Sequence, residues 1–326
     1  MKLLKLGLAI GLLLSSLGCK KYSTDYQEKA SDSALMHQSM KKLTDVIVHD
    51  IFSPPVASRI YVYPSIAAYE IMQNEDENFI SMSGQLHDFE DVPRPEPGKE
   101  YCYPLAAVHS FLLTGKVFIF SEPKIQEFHD EVLLRFDSLN MPPDVYERSL
   151  AYGEAVSKHI LAWANKDNYK QSRTFTKYTF QDDPSTWQPT PPGYMDGIEP
   201  HWRTIRPMVL DSAQQYSPPP PTPYNLDKNS LFYKELMEVY NVLEKEKDEK
   251  IAIAQFWDCN PYVAHSVGHV MFATKKITPG GHWIGITKIA CKKAKTNMMQ
   301  TTEAYARVSI ALMDAFISCW DEKYRS

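Results

Sequence analysis

The sequence predicts an all-α fold, a helical bundle interrupted by one long loop rich in proline and aromatic residues. Three observations carry this expectation. Apolar residues recur at helical spacing over most of the chain, and strict apolar-polar alternation is scarce. Prolines crowd together from Pro189 to Pro192 and from Pro218 to Pro223, where regular helix cannot run and an extended course is favoured.

The chain opens with a segment of another kind. Lys2 and Lys5 precede an apolar run from Leu6 to Leu14, followed by Ser15, Ser16 and Leu17-Gly18-Cys19, which is the layout of a secretion signal. The run is too short to span a membrane, which takes about 20 apolar residues. A small residue before a thiol is what a lipoprotein signal peptidase needs, so Cys19 is the expected lipidation site. Residues 1–18 then form the signal, 19–34 a polar tether, and 35–326 the folded body. The membrane is thus an expected partner, through the anchor alone.

Helices follow in order. Ser33 to Ile51 and Val56 to Gln73 are separated by Pro54-Pro55, with Ser53 available to cap the second. Leu105 to Ile119 comes next, and Ser121-Glu122-Pro123 signals the start of Glu122 to Ser138. Pro143 to Asn165 completes this group. From Tyr169 to Lys228 the helical pattern fails, yet Trp187, Tyr194, Trp202, Tyr216 and Tyr224 interleave the prolines. Aromatics on a free linker would expose large apolar area, so a loop pinned on the helical body is expected. Asn229 to Glu246, Asp248 to Trp257 and Met298 to Tyr324 are the remaining helices.

The chain has 326 residues, 44% of them hydrophobic and 12% aromatic, with 35 basic and 40 acidic side chains for a net charge of -5. That is ample for a core and lacks the basic excess of a nucleic-acid binder. Cys102, Cys259, Cys291 and Cys319 contain no Cys-x-x-Cys spacing, which argues against zinc or thioredoxin-like chemistry. Outside the cytoplasm their even number permits disulfides, and buried free thiols are the alternative.

Other motifs carry little chemistry. His265 and His269 would share a helix face, but Ser266 stands where a zinc peptidase needs Glu. Asp196 and Glu199 sit in the proline-rich loop and read as ordinary acceptors. Pro279-Gly280-Gly281-His282-Trp283 reads as a loop entering a helix, with glycines that let backbone N-H groups approach an anion.

The last helix holds the one candidate catalytic group. At about 100° per residue, Tyr305, Val308, Leu312, Phe316 and Cys319 fall near Lys323, while Asp314, Ser318, Asp321 and Arg325 fall opposite. Lys323 thus extends the apolar stripe. A snorkelling lysine with its ammonium in water is the bland reading.

Asp314 to Tyr324, ending in Cys319-Trp320-Asp321-Glu322-Lys323-Tyr324, resembles the entry to the first signature of the vanadium-dependent haloperoxidase and type 2 phosphatidic acid phosphatase superfamily. Trp187 to Tyr194, Glu199-Pro200-His201-Trp202, Arg206-Pro207, Ser230 to Tyr233, Ala254 to Trp257 and Pro279 to Trp283 resemble, in order, the region upstream of the catalytic domain in secreted bacterial members. The resemblance runs from about Leu35 to the end. It implies an oxyanion cage in which Lys323 is the catalytic, vanadate-holding lysine, with vanadate as cofactor. The substrates it implies are halide and peroxide, or a phosphoester.

In that superfamily Lys is followed, after a spacer of six residues, by Arg-Pro, then Ser-Gly-His and a later Arg with a His. None of these follows Lys323 within residues 1–326. Ser266-Val267-Gly268-His269 precedes Lys323 and carries an intervening Val, and Arg206-Pro207 has Glu199 where the Lys should stand. The expectation is therefore the N-terminal part of such an enzyme, ending before most of the catalytic four-helix region, inactive alone, and lipid-anchored in a bacterial cell envelope. The alternative is a lipid-anchored helical binding or interaction protein without catalysis.

Overall fold

A computed structural model describes residues 22–191, 193–245, 247–261, 263–267 and 270–325. The helices are α1 Tyr26–Ala30, α2 Ser33–His49, α3 Pro54–Met72, α4 Tyr103–Lys116, α5 Glu122–Asp137, α6 Pro143–Ala164 and α7 Tyr169–Ser172. After the loop come α8 Leu231–Lys245, α9 Lys247–Trp257, α10 Pro279–Ala294 and α11 Met298–Arg325. Cys19 lies outside the described residues. None of the described helices is long and apolar enough to cross a membrane.

The hub is α3. From Pro55 to Met72 its residues are buried, which is what a helix apolar on every side requires. It packs against α4, α6, α10 and α11. Pro54 and Pro55 occupy its first turn, where their missing N-H groups cost nothing. Ser53 precedes the helix as expected but makes no capping bond, and its buried hydroxyl has no partner. Ser121 likewise begins α5 without capping it. Its hydroxyl and amide, with the Phe120 amide, go to the Asp50 carboxylate, which ties the α4–α5 corner to the end of α2.

Close approach of α4 and α6 depends on Gly153. A Cβ there would lie 2.7 Å from the Ala106 carbonyl oxygen, so any side chain forces the helices apart. Beside this crossing, the buried His109 and His129 rings meet, with Nδ1 of one 2.8 Å from Nε2 of the other.

A buried ion pair ties α3 to the segment that follows α6. Arg59 pairs with Asp167 at 2.6 Å and donates to the Ala164 carbonyl, while Tyr63 donates to the same carboxylate. Arg206 adds to this knot, donating to Tyr63 and the Trp163 carbonyl and lying over the Trp163 ring. The Arg206-Pro207 pair is thus a clamp that fastens the loop. Asn168 helps from the other side, in the left-handed region at φ 72° that Asn tolerates, with its amide donating to the Thr204 carbonyl.

The long loop is pinned unevenly. Trp202 is fully buried and Trp187 half-buried, whereas Tyr194, Tyr216 and Tyr224 are exposed. Two aromatics anchor it, not all five.

Two segments depart from the sequence reading. Residues 263–267 and 270–274 form an antiparallel strand pair, so His265 lies on a strand and not on a helix face. His269 lies outside the described residues. Pro279–Ala294 is a full helix, entered at Thr278, whose hydroxyl accepts from the Gly281 amide. Gly281 is needed for close approach, since a Cβ would sit 2.6 Å from Ile277 and 3.0 Å from the Tyr61 hydroxyl. Its N-H is therefore spent on the cap. Cys102, Cys259, Cys291 and Cys319 are all free thiols, the first three buried.

Candidate active site

The helix that carries Lys323 buries the face opposite to the one expected. Thr302, Tyr305, Ala306, Ser309, Met313, Asp314, Ile317 and Asp321 face the core. Val308, Leu312 and Phe316 are half-buried and Cys319 is exposed. Of the expected stripe only Tyr305 is fully buried, and its hydroxyl lies 2.7 Å from His37 Nδ1.

The two aspartates explain the inversion. Asp314 accepts hydrogen bonds from the amides of Met208, Val209 and Leu210 at 2.6, 2.9 and 3.1 Å. Asp321 accepts from Gln214 and Arg325, and Arg203 approaches it at 3.7 Å. Carboxylates that satisfy otherwise orphaned loop amides can be buried. A wheel drawn from polarity alone assigns them to water.

Lys323 stands one turn beyond, half-buried, at the edge of this interface. Its ammonium lies 5.1 Å from the Trp320 ring centroid, 5.5 Å from Tyr324 and 5.6 Å from Trp187. Trp320 and Tyr324 are its neighbours on the helix, at i−3 and i+1. Trp187 arrives from the proline-rich loop and stacks edgewise on Tyr324, with Tyr178 behind both. Trp320 Nε1 and the Tyr324 hydroxyl both donate to the Ile198 carbonyl, at 2.8 and 2.9 Å.

This setting changes what the lysine can do. Among the described residues its ammonium has no carboxylate partner, and aromatic faces supply only cation–π attraction. Burial holds its pKa below the ordinary lysine value, with the nearby Cys319 thiol opposing the shift. An unpaired, partly desolvated ammonium gains more from an incoming anion than one in bulk water. The elements bring Lys323, Trp187, Trp320 and Tyr324 together, and the first was foreseen. The i−3 ring of Trp320 is readable from helix spacing and Tyr324 from adjacency in the chain; Trp187 is not.

Asp196 and Glu199 make no carboxylate pair for catalysis. Glu199 is held by both terminal nitrogens of Arg173, as a loop brace. No group of three or more His, Cys, Asp or Glu gathers for a metal ion among the described residues.

No family model and no curated protein matches the chain. A solved structure does, that of a bacterial vanadium-dependent iodoperoxidase described as the first of its kind, at 49% identity and a TM-score of 0.83. The match covers 90% of this chain and 69% of that one. The chain therefore belongs to the vanadium-dependent haloperoxidase superfamily. Within it, the bacterial iodoperoxidase is a relative with which it shares nearly half its residues over the matched region.

Proposed function

We propose that the chain contributes the lysine of an oxyanion-holding site in a peroxide-dependent halide-oxidising enzyme, with iodide as the halide. The observation that carries this is Lys323, an ammonium that has no carboxylate partner among the described residues and is framed by Trp187, Trp320 and Tyr324. The iodoperoxidase relative supports both the cofactor, vanadate, and the halide. When bound, vanadate supplies activation of peroxide towards the halide. Lys323 would hold one of its oxygens by a charge-assisted hydrogen bond, while the three rings restrict water around the ammonium.

Lys323 fits such an anion but does not suffice for it. One ammonium against one negative charge at 4 Å gains about 1 kcal/mol in water, whereas a millimolar complex needs about 4 kcal/mol. Such a site therefore requires further donors beside Lys323, without which residues 1–326 would turn over no substrate. Cys19 carries the lipid that keeps the protein at the bacterial envelope, a reading supported by Lys2, Lys5, the apolar run and Gly18-Cys19.

The test is vanadate-dependent triiodide formation from iodide and peroxide, by residues 1–326 and by the product of the whole reading frame that encodes them. Activity in the longer product, lost in Lys323→Ala, is expected. Turnover by residues 1–326 alone would show that no further donors are needed. A reading frame that ends at Ser326 and yields no vanadate-dependent oxidation would overturn the enzyme reading in favour of an anchored binding protein.

A further inference from the structure

A thiol–imidazole pair lies between the end of α9 and the first turn of α10. Cys259 Sγ is 3.1 Å from His282 Nδ1. The thiol is only 8% exposed, and it opens into a cavity of about 420 Å3 walled by Pro54, Trp257, Pro279, His282 and Trp283, with Asp258 and Asn260 on its polar side. His282 is held by stacking on Trp257, with centroids 5.2 Å apart and planes 11° from parallel. Its main-chain N-H is bound to the Thr278 carbonyl. An oriented imidazole beside a thiol is the arrangement of a nucleophile with its base.

The surroundings define the state of the pair. Burial raises the Cys259 thiol above its ordinary value, and Asp258 adds to this while Lys276 opposes it. Asp258 and Lys276 form an ion pair with each other next to the thiol. With the thiol held protonated, sulfur becomes a good nucleophile only as its proton moves to the imidazole.

We propose that Cys259 and His282 form a hydroperoxide-reactive site that converts the thiol to a sulfenic acid without Lys323 taking part. Sulfur attacks one peroxide oxygen, so an S-O bond forms and the O-O bond breaks. The thiol proton passes to His282 Nδ1 and from there to the departing oxygen, which leaves as water or an alcohol. Sulfur loses two electrons and the peroxide gains them. The walls of Pro54, Trp257, Pro279 and Trp283 favour an organic hydroperoxide, whose apolar tail they can bury, over hydrogen peroxide.

The other thiols are built-in controls. Cys102 and Cys291 are buried and Cys319 is exposed. The full chain, reduced, is treated with substoichiometric hydrogen peroxide or cumene hydroperoxide in the presence of dimedone, and labelling is read peptide by peptide. Cys259 should be labelled about tenfold or more faster than the exposed Cys319, and faster with cumene hydroperoxide than with hydrogen peroxide. His282→Gln should remove that lead without changing Cys319, and Trp283→Ala should remove the preference for the organic reagent. Labelling in order of exposure, with Cys319 ahead of Cys259 in the unmodified chain, overturns the proposal whatever the variants do. An unchanged Cys259 rate in a folded His282→Gln chain overturns it as well.

Discussion

Asp314 on the last helix and Met208 in the long loop are joined by a hydrogen bond of 2.6 Å from the Met208 amide to the carboxylate. The same carboxylate takes the amides of Val209 and Leu210. A helix that ends in the candidate catalytic lysine is therefore locked to the loop whose Trp187 frames that lysine.

Asp314→Ala should be costly. It leaves three loop amides without their charged acceptor, at about 1–3 kcal/mol for each group that water cannot reach. Because the loop can relax, a total loss of about 3 kcal/mol is expected, read as a lower urea midpoint. A shift corresponding to less than about 0.5 kcal/mol, the size of an ordinary surface change, would mean that the lock is not made in solution.

The buried histidine pair predicts acid sensitivity. Desolvation is the main cause that holds His109 down to about 3 and His129 to about 4, with the charges of the partner ring and Lys116 adding to it for His109. Glu154, 4.0 Å from His109, and Asp130 face the pair from α6 and α5. Both rings are neutral when folded and gain a proton near pH 6.5 when unfolded. Their contribution is therefore fully present above about pH 6.5 and falls by about 1.4 kcal/mol per pH unit for each ring as pH drops toward 4. Urea stability measured from pH 7 to 4 should lose this part of its slope in the His109→Gln, His129→Gln double variant. An identical pH dependence in both chains would refute it.

Opening the aromatic frame should raise the basicity of Lys323. Burial is the first cause of its lowered pKa, and of the three rings around it Trp187 is the one that does not come from α11. Trp187→Ala admits water, so the titration of Lys323, followed by NMR of reductively methylated chain, should move up toward 10.5, the ordinary value. No movement, or movement downward, would show that Trp187 does not desolvate the ammonium.

The helices were largely legible because helical periodicity is a local property. Glu122–Asp137 and Pro143–Ala164 begin where proline and acidic starts place them and end within a residue of the expected stop. What could not be read was decided between segments. The aspartates of α11 are buried because loop residues distant in sequence bring amides and donors to them, so polarity pointed the wheel the wrong way. Four-residue spacing would place His265 and His269 on one helix face, yet the segment that holds His265 pairs as a strand with 270–274. Lys323 was found by its motif, while Trp187 enters only because the chain folds back.

The Ile198 carbonyl that receives both Trp320 and Tyr324 gives the site an uneven tolerance to mutation. A main-chain oxygen survives every substitution at position 198, so the two rings on the helix keep their acceptor however that side chain drifts. The third ring has no such insurance, because a single codon change at 187 removes it. Evolution can therefore retune the surroundings of Lys323 from the loop alone, while the helix that carries the lysine stays as it is.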